Sequence, residues 1–333
     1  MILVTGGTGM VGSHLLYFLV EKGETVRAIH RKDSDINSVK NIFSLYTSEA
    51  DILFNKIEWK EADITDIPAL TEAFMDITHV YHCAAMVNFD PSMYKQLKKI
   101  NVEGTANIVN LCLAKNISKL CYVSSVAAFG GTLHGKPINE TTSWNPDERN
   151  NVYSITKYGA EMEVWRGTQE GLDAVIVNPG VILGISPHNE GSSAIFAFGA
   201  RGLSSYPTGE GGIVDVRDVV KSMILLMNSN IKNEQYILVG ENITYRDLLN
   251  QLADLYGNKP PTRKLSKSLM LFLSNLDWLY SKITGSERRL PKANVRSMFN
   301  NSNYDNSKIK EQFNFQFTPT TETLEWVVKN QIS

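Results

Sequence analysis

A glycine-rich turn near the start of the chain constrains the fold more than any other feature of the sequence. Thr5-Gly6-Gly7-Thr8-Gly9-Met10-Val11-Gly12 lies between an apolar run predicted as a strand and a predicted helix. Glycines at this spacing allow a tight turn, a close backbone approach to a diphosphate and tight helix packing. The first N–H groups of the helix attract an anion. The turn therefore predicts a dinucleotide site, rather than a plain strand–helix connection, at Gly6, Thr8, Gly9, Met10, Val11 and Gly12.

Short β-rich runs alternate with helical patterns over the first 180 residues. The helices are predicted to begin near Met10, Ile67, Ser92 and Val152. The strands are predicted at 2–5, 25–30, 56–62, 79–84, 119–125 and 173–178. Such alternation implies crossover connections, and nearly continuous apolar strands imply a sheet buried on both faces. The sequence therefore predicts an α/β fold, a Rossmann-type doubly wound parallel sheet with its ligand at the carboxyl ends of the strands.

The pattern changes after Gly180. Residues 214–239 return to the α/β pattern, with a helix over 216–228 and a strand at 236–240. From 241 onward the pattern is almost purely helical, with a linker at 257–264 and a last helix beginning near Thr320. We predict a cofactor-binding domain formed by residues 1–180 and about 213–240. Residues from about 181 to 212 and 241 to 333 would form a smaller, mostly helical substrate-binding lobe.

Composition narrows the class of protein. The chain of 333 residues is 43% hydrophobic and 20% charged, which excludes intrinsic disorder. Its 33 basic and 35 acidic residues show no basic excess, so we predict no nucleic-acid partner. Cys83, Cys112 and Cys121 form neither a disulfide framework nor a set at metal-ligand spacing, so no metal site is predicted. Sparse cysteines and a strand that starts at residue 2 favour a cytoplasmic protein.

An apolar stripe at 268–280 has two interpretations. It is short for a membrane span and contains Asp277. We expect a lid helix that packs on the core, and the weaker alternative is a membrane contact, because a lysine-rich polar face is lacking.

The end of the second predicted strand bears on the choice of cofactor. An acidic residue usually stands there in sites for NAD, where it holds the ribose hydroxyls. Here His30 is followed by Arg31 and Lys32, which attract the additional phosphate of NADP. NADP(H) is therefore preferred, with NAD(H) as the alternative. Asp63, at the end of the third strand, is a candidate for the adenine amino group, or else a cap for the helix near Ile67.

A tyrosine and a lysine one helical turn apart are the candidate acid–base pair. Three pairs have this spacing, Tyr94/Lys98, Tyr153/Lys157 and Tyr304/Lys308, so spacing alone does not choose among them. Only Tyr153 follows the fifth strand, whose end carries Ser124 and Ser125, and begins the helix that leads to the sixth strand. There its hydroxyl can reach the carboxyl edge of the sheet.

Seven motifs occur in one order between residues 1 and about 220: TGGTGMVG, EADITD, HCAA, INVEGT, VSSVAAFG, YSITK and NPGVILG. In this order and spacing the chain resembles an extended short-chain dehydrogenase/reductase of the NAD-dependent epimerase/dehydratase superfamily. VDVRDVV (214–220) and YDNSKIKEQFNF (304–315) resemble its dihydroflavonol-reductase-like and hydroxysteroid-dehydrogenase-like branches.

The resemblance implies roles for individual residues. Ser125 would bond the substrate oxygen, and Tyr153 would be the proton donor or acceptor. Lys157 would stabilise the phenolate and bond the nicotinamide ribose, and Asn101 would complete the catalytic set. Other residues implied to line the cofactor are Ile64, Ala84, Ala85, Pro179, Gly180 and Val181.

The substrate is less defined. Candidate contacts are Val87, Asn88, Phe129 and Asn178. Phe129 replaces the tyrosine of many sugar-modifying members, Ile185-Ser186 replaces their Pro-Arg, and no acidic pair follows Ser125. These departures favour an NADP(H)-dependent oxidoreductase that interconverts a carbonyl and a secondary alcohol on a small, fairly apolar molecule. The alternatives are an NAD-dependent nucleotide-sugar epimerase/dehydratase and a non-catalytic dinucleotide sensor. The sequence leaves the reaction direction and the choice between monomer and homodimer open.

Overall fold

Twelve strands and fourteen α-helices make up the described part of the chain. The computed structural model describes residues 1–131, 136–188, 194–286, 288 and 290–331. The strands are β1 Ile2–Thr5, β2 Val26–His30, β3 Glu58–Glu61, β4 His79–His82, β5 Lys119–Val123, β6 Ala174–Pro179, β7 Val181–Leu183, β8 Ser205–Tyr206, β9 Glu210–Asp215, β10 Glu234–Leu238, β11 Glu241–Thr244 and β12 Arg263–Lys264. The helices are α1 Met10–Glu21, α2 Ser38–Ser44, α3 Ala50–Phe54, α4 Ile67–Ala73, α5 Tyr94–Leu97, α6 Gly104–Ala114, α7 Val152–Gln169, α8 Ala194–Arg201, α9 Val216–Met227, α10 Tyr245–Leu255, α11 Lys267–Thr284, α12 Lys292–Ser297, α13 Ser307–Phe313 and α14 Thr320–Gln331.

Seven strands form one parallel sheet in the order β10-β6-β5-β4-β1-β2-β3. The strand order reverses between β1 and β4, which opens a crevice at the carboxyl ends of these two strands. The predicted parallel sheet is confirmed. Most predicted strands extend one or two residues beyond the observed ends, because residues such as Cys83 and Ala84 continue the apolar run after pairing stops.

Apolar clusters cover both faces of this sheet. On one face, Leu15 and Leu16 of α1 pack with Val219 of α9. On the other, Ile108 of α6 packs with Val164 of α7. A sheet that is buried on both faces requires strands that are apolar on both sides, and all five residues of β5 are buried.

The segment expected to form one helix from Ser92 is divided. A 3₁₀ turn at Pro91–Met93 leads into α5, and a π-helical turn at Lys98–Glu103 leads into α6. A π turn contains one more residue per turn than an α-helix, so it places residue 101 differently from a continuous helix.

The C-terminal part contains strands that the sequence analysis did not predict. β11 pairs antiparallel with β9, and β9 also pairs with β7. β12 lies within the segment expected to be a linker. Helices α10 to α14 make up most of the region after 241, as predicted, but β11 and β12 were missed because strands this short show no periodic pattern. The division into two domains stays a prediction.

The apolar stripe at 268–280 lies on α11, and the expectation that this helix packs on the core was wrong. Ser274 is its one buried residue, and four of its five leucines are exposed. No helix in the described ranges is long and apolar enough to cross a membrane.

Candidate active site

The glycine-rich turn forms a backbone cradle at the end of β1. Gly6 has a φ of +69°, and its carbonyl accepts a 3.0 Å hydrogen bond from the Gly9 N–H. A Cβ on Gly12 would lie 2.1 Å from the Gly6 oxygen, so the turn admits no side chain there. Gly9 is the N-cap of α1 and provides no side-chain cap, which leaves the first N–H groups of the helix for an anion. The cradle leaves room for a diphosphate, and Thr8, Met10 and Val11 lie half-buried around it. That it binds one stays a prediction.

The ends of β1 and β4 approach each other closely beside this cradle. A Cβ on Gly6 would lie 2.6 Å from the Ala84 nitrogen. The next residue, Ala85, is exposed. The small side chains of Ala84 and Ala85 therefore leave the crevice open at the point where the strand order reverses.

A buried histidine joins the floor of the crevice to the helix layer. Thr5 Oγ1 lies 2.7 Å from His82 Nδ1, and His82 Nε2 lies 3.0 Å from Thr105 Oγ1. The Thr105 hydroxyl donates to the Asn101 carbonyl, so it accepts from His82. Burial lowers the pKa of His82 to about 3, and Lys157 lowers it further. His82 is therefore neutral and structural.

Two exposed cations follow β2. The side chains of Arg31 and Lys32 have no hydrogen-bond or ion-pair partner within the described ranges. The adjacent Asp33 is exposed as well. The guanidinium of Arg31 is thus available to a ligand at the end of β2.

Asp63 lies at the end of β3 and does not cap α4. Its Oδ1 accepts 2.8 Å hydrogen bonds from the N–H and the hydroxyl of Thr65. The cap is Asp66, which accepts from the Ala69 N–H, so the alternative role for Asp63 was wrong. The neighbouring Ile64 is buried and packs close to Gly104.

Ser125, Tyr153 and Lys157 meet at the carboxyl end of β5. Asn151 caps α7 by accepting from the Ser154 N–H, which sets Tyr153 in the first turn of the helix. The Tyr153 phenol lies near the Ser125 side chain, whose hydroxyl lowers the pKa of the phenol. One turn later, the Lys157 Nζ donates to the Tyr122 hydroxyl at 2.8 Å and to the Val123 carbonyl at 2.9 Å.

Burial shifts the proton affinities of the tyrosine and the lysine in opposite directions. It raises the pKa of Tyr153 to about 12, although the Ser125 hydrogen bond opposes the change. It lowers the pKa of Lys157 to about 7, and the negative charge of Glu161 opposes that change. Tyr153 therefore carries its proton at neutral pH, as a proton donor must.

Glu161 is a buried carboxyl group that sequence reasoning missed. It accepts hydrogen bonds from the Ser124 hydroxyl at 2.6 Å and the Asn178 amide at 2.8 Å. Burial raises its pKa, while the hydrogen bonds from Ser124, Asn178 and Trp165 oppose that shift. No local pattern indicates this role, because a glutamate on an amphipathic helix ordinarily faces water.

The buried side chains of Asn101 and Asn178 are hydrogen-bonded to backbone near the candidate catalytic residues. Within the π turn, Asn101 accepts from the Met86 N–H and donates to the Met86 carbonyl and to Thr156. Asn178 is fully buried and also donates to the Ser125 carbonyl. Both side chains position backbone around Ser125 and Tyr153. Their predicted catalytic and substrate roles stay predictions.

The candidate substrate residues lie in different surroundings. Val87 is 60% exposed, and Phe89 packs edge-on against Tyr153 at 5.4 Å between ring centres. Asn88 lines a cleft of about 510 Å³ whose opposite wall includes Trp278 and Lys282 of α11. Phe129 instead lies in an apolar cluster with Ile138, Ile237 and Val239.

The predicted nicotinamide-lining segment joins β6 to β7. Pro179 is the last residue of β6 and Val181 the first of β7. A Cβ on Gly180 would lie 2.4 Å from the Gly212 oxygen, so this position requires glycine. Its role toward a cofactor stays a prediction.

The other two tyrosine–lysine pairs lie elsewhere. Tyr94 is on the short helix α5, and the Lys308 Nζ is bonded to Glu234 and to the Gln235 carbonyl. Among the residues that the structure describes, no group of three or more His, Cys, Asp or Glu is arranged to hold a metal ion.

Known proteins are similar to this chain along most of its length. A putative dihydroflavonol 4-reductase of Synechocystis is 29% identical over 319 residues, 93% of this chain and 88% of that protein. Sterol demethylase protein B of Methylococcus capsulatus is 29% identical over 301 residues, 89% of this chain and 86% of that protein. The crystal structure of gox2253 superposes with a TM-score of 0.82 at 28% identity, covering 99% of this chain and 97% of that one.

A family model matches more than two thirds of the chain. The model of the NAD dependent epimerase/dehydratase family matches residues 2–240, which include the cradle, the crevice and the Ser125, Tyr153 and Lys157 cluster. The chain belongs to the NAD dependent epimerase/dehydratase family.

Proposed function

We propose that the protein is an NADP(H)-dependent reductase that interconverts a carbonyl and a secondary alcohol on a small, fairly apolar molecule. The observation that carries the proposal is the contact between Tyr153 and Ser125 with Lys157 one helical turn away, at the edge of the cofactor crevice. Relatives named as reductases support the same reaction class.

The chain's residues fit the cofactor. The turn from Gly6 to Gly12 would hold the diphosphate, because its backbone leaves space that a Cβ would fill. Arg31, with Lys32, would hold the ribose phosphate of NADP, since its guanidinium is exposed and unpaired within the described ranges. Lys157 would bond the nicotinamide ribose. When bound, the nicotinamide supplies or accepts a hydride equivalent at the substrate carbon.

Tyr153 would move the proton. In the direction of reduction, its O–H donates to the substrate oxygen, which Ser125 holds by a hydrogen bond. The phenolate that forms needs a nearby positive charge, because an unperturbed phenol has a pKa of about 10. The protonated Lys157 would supply that charge, and the nearby Glu161 favours its protonation.

The experiment compares NADPH oxidation by the wild type and by Tyr153→Phe over a panel of aldehydes, ketones and dihydroflavonol-like compounds. Removing one oxygen should leave folding and NADPH affinity intact while turnover falls by at least about 10²-fold. Tyr94→Phe is the matched control and should keep full activity. Near-normal turnover in Tyr153→Phe, or loss of turnover in Tyr94→Phe, would contradict the assignment.

A nucleotide-sugar epimerase is the second candidate, because the family description includes epimerases. An epimerase oxidises and reduces its substrate again without net use of cofactor, so it should purify with tightly held NAD. A reductase should instead consume NADPH in proportion to product. Stoichiometric NADPH consumption supports the proposed function, and bound NAD with no consumption refutes it.

A further inference from the structure

Helix α11 presents its apolar face to solvent. Six apolar side chains share one face of the helix by their spacing, and all of them are exposed: Leu269, Phe272, Leu273, Leu276, Leu279 and Ile283. Ile283 is 76% exposed. Ordinary surface helices bury such a face, and a contiguous exposed patch marks an interaction surface.

The polar side of α11 is the one attached to the protein. The buried Ser274 hydroxyl donates to the Leu290 carbonyl at 2.8 Å, and the Leu290 N–H donates to Asp277 at 3.1 Å. Arg288 lies 3.6 Å from Asp277 and 4.0 Å from Asp90, which joins α11 to the loop after β4. These contacts fix the helix with its apolar face outward.

Positive charge is concentrated in the segments before and after α11. Residues 259–296 contain nine basic and two acidic residues, whereas the remainder of the chain contains 24 basic and 33 acidic ones. Exposed cations lie near both ends of α11: Arg263 and Lys264 before it, Lys267 at its first residue and Lys282 in its last turn. An interfacial helix binds through buried apolar area together with attraction to anionic lipids.

We propose that the outward apolar face of α11, with its flanking cations, docks on the surface of an anionic lipid bilayer. The helix would lie along the headgroup boundary, where Tyr280 suits the interface because its ring is apolar and its hydroxyl polar. A second copy of the chain fits less well. In a two-fold dimer the same patch meets itself, which would place the two basic segments against each other.

The test is sedimentation with vesicles of phosphatidylcholine alone and of phosphatidylcholine mixed with phosphatidylglycerol. The wild type should bind the mixed vesicles, bind the neutral ones more weakly, and dissociate as salt is raised. Leu276→Asp should lower vesicle binding at least about tenfold, because a leucine that would enter the bilayer is replaced by a charged side chain. Ile52→Asp, on an equally solvent-exposed apolar residue of α3, is the matched control and should bind like the wild type.

Two further measurements distinguish a lipid bilayer from a second copy of the chain as the partner of this face. Lys264→Glu with Lys267→Glu should weaken binding to the mixed vesicles only. Thermal unfolding shows whether each variant is folded, and sedimentation velocity reports self-association. The proposal is overturned if the folded wild type does not bind the mixed vesicles, or if it binds both vesicle compositions equally. It is also overturned if Ile52→Asp loses as much vesicle binding as Leu276→Asp. Self-association that Leu276→Asp abolishes, without vesicle binding, would assign the face to a second copy.

Discussion

The low proton affinity of Lys157 gives a prediction that does not depend on activity. Lys157 is 1% exposed, and burial lowers its pKa from 10.5 to about 7. A difference of this size corresponds to about 5 kcal/mol of unfolding free energy, at about 1.4 kcal/mol per pKa unit. The substitution Lys157→Met removes the ammonium while it keeps most of the side-chain length.

The direction in which the unfolding free energy changes with pH follows from proton binding by Lys157 in the folded and unfolded states. Between about pH 7 and 10.5 the unfolded chain keeps the Lys157 proton and the folded protein has released it. Raising the pH therefore stabilises the folded wild type, by about 1.4 kcal/mol per pH unit in this window. Below about pH 7 the destabilisation is complete and constant. Lys157→Met lacks this dependence, although it also loses the hydrogen bonds to Tyr122 and Val123 at every pH.

The assay is urea unfolding of both proteins, without added cofactor, at intervals of pH from 7 upward. The measured quantity is the difference in unfolding free energy between wild type and Lys157→Met. Lys22→Met, which removes an exposed ammonium, controls for the change in net charge. If the difference in unfolding free energy between wild type and Lys157→Met stays constant from about pH 7 to 10.5, Lys157 has an ordinary proton affinity. That result would refute the argument.

Three other substitutions test separate parts of the site. Arg31→Asp should weaken NADPH binding about tenfold while NADH binding changes little, because one charge-assisted contact is lost at an exposed position; equal losses, measured as two dissociation constants, would contradict the phosphate contact. Gly12→Ala should destabilise the protein by about 1–3 kcal/mol, since its Cβ would lie 2.1 Å from the Gly6 oxygen, and an unchanged thermal midpoint would show that the turn rearranges freely. Glu161→Gln should lower the pKa of Lys157 further and move the alkaline limb of the kcat/KM profile to lower pH. Glu163→Gln, on the same helix, changes a half-buried carboxylate that pairs with Arg166 instead, and should leave that limb in place.

The parallel sheet and the phosphate cradle were predictable because their signals are local and strong. Buried strands are nearly continuous apolar runs, and the turn from Gly6 to Gly12 requires glycine at positions where a Cβ would strike backbone. β7, β9 and β11 were not predicted, because their pairing joins residues far apart in the chain.

The surroundings of the candidate catalytic residues could be predicted only in part, because they depend on tertiary packing. The tyrosine–lysine spacing occurs three times, and the position of Tyr153 after the fifth strand selected the pair that lies at the sheet edge. Glu161 was missed because its burial arises only when α7 packs against β5 and β6. The outward face of α11 was mispredicted because apolar periodicity identifies a stripe but not the partner that covers it.

The π turn at Lys98–Glu103 has a consequence for how members of this family can change in length. It amounts to one residue inserted into an otherwise α-helical segment. Deleting a single residue there would convert it to an ordinary turn and rotate α5 against α6 by about 100°. Asn101 would then leave the Met86 backbone, and Thr105 would turn away from His82. Single-residue gaps should therefore be tolerated in the loops around this segment but rejected within it.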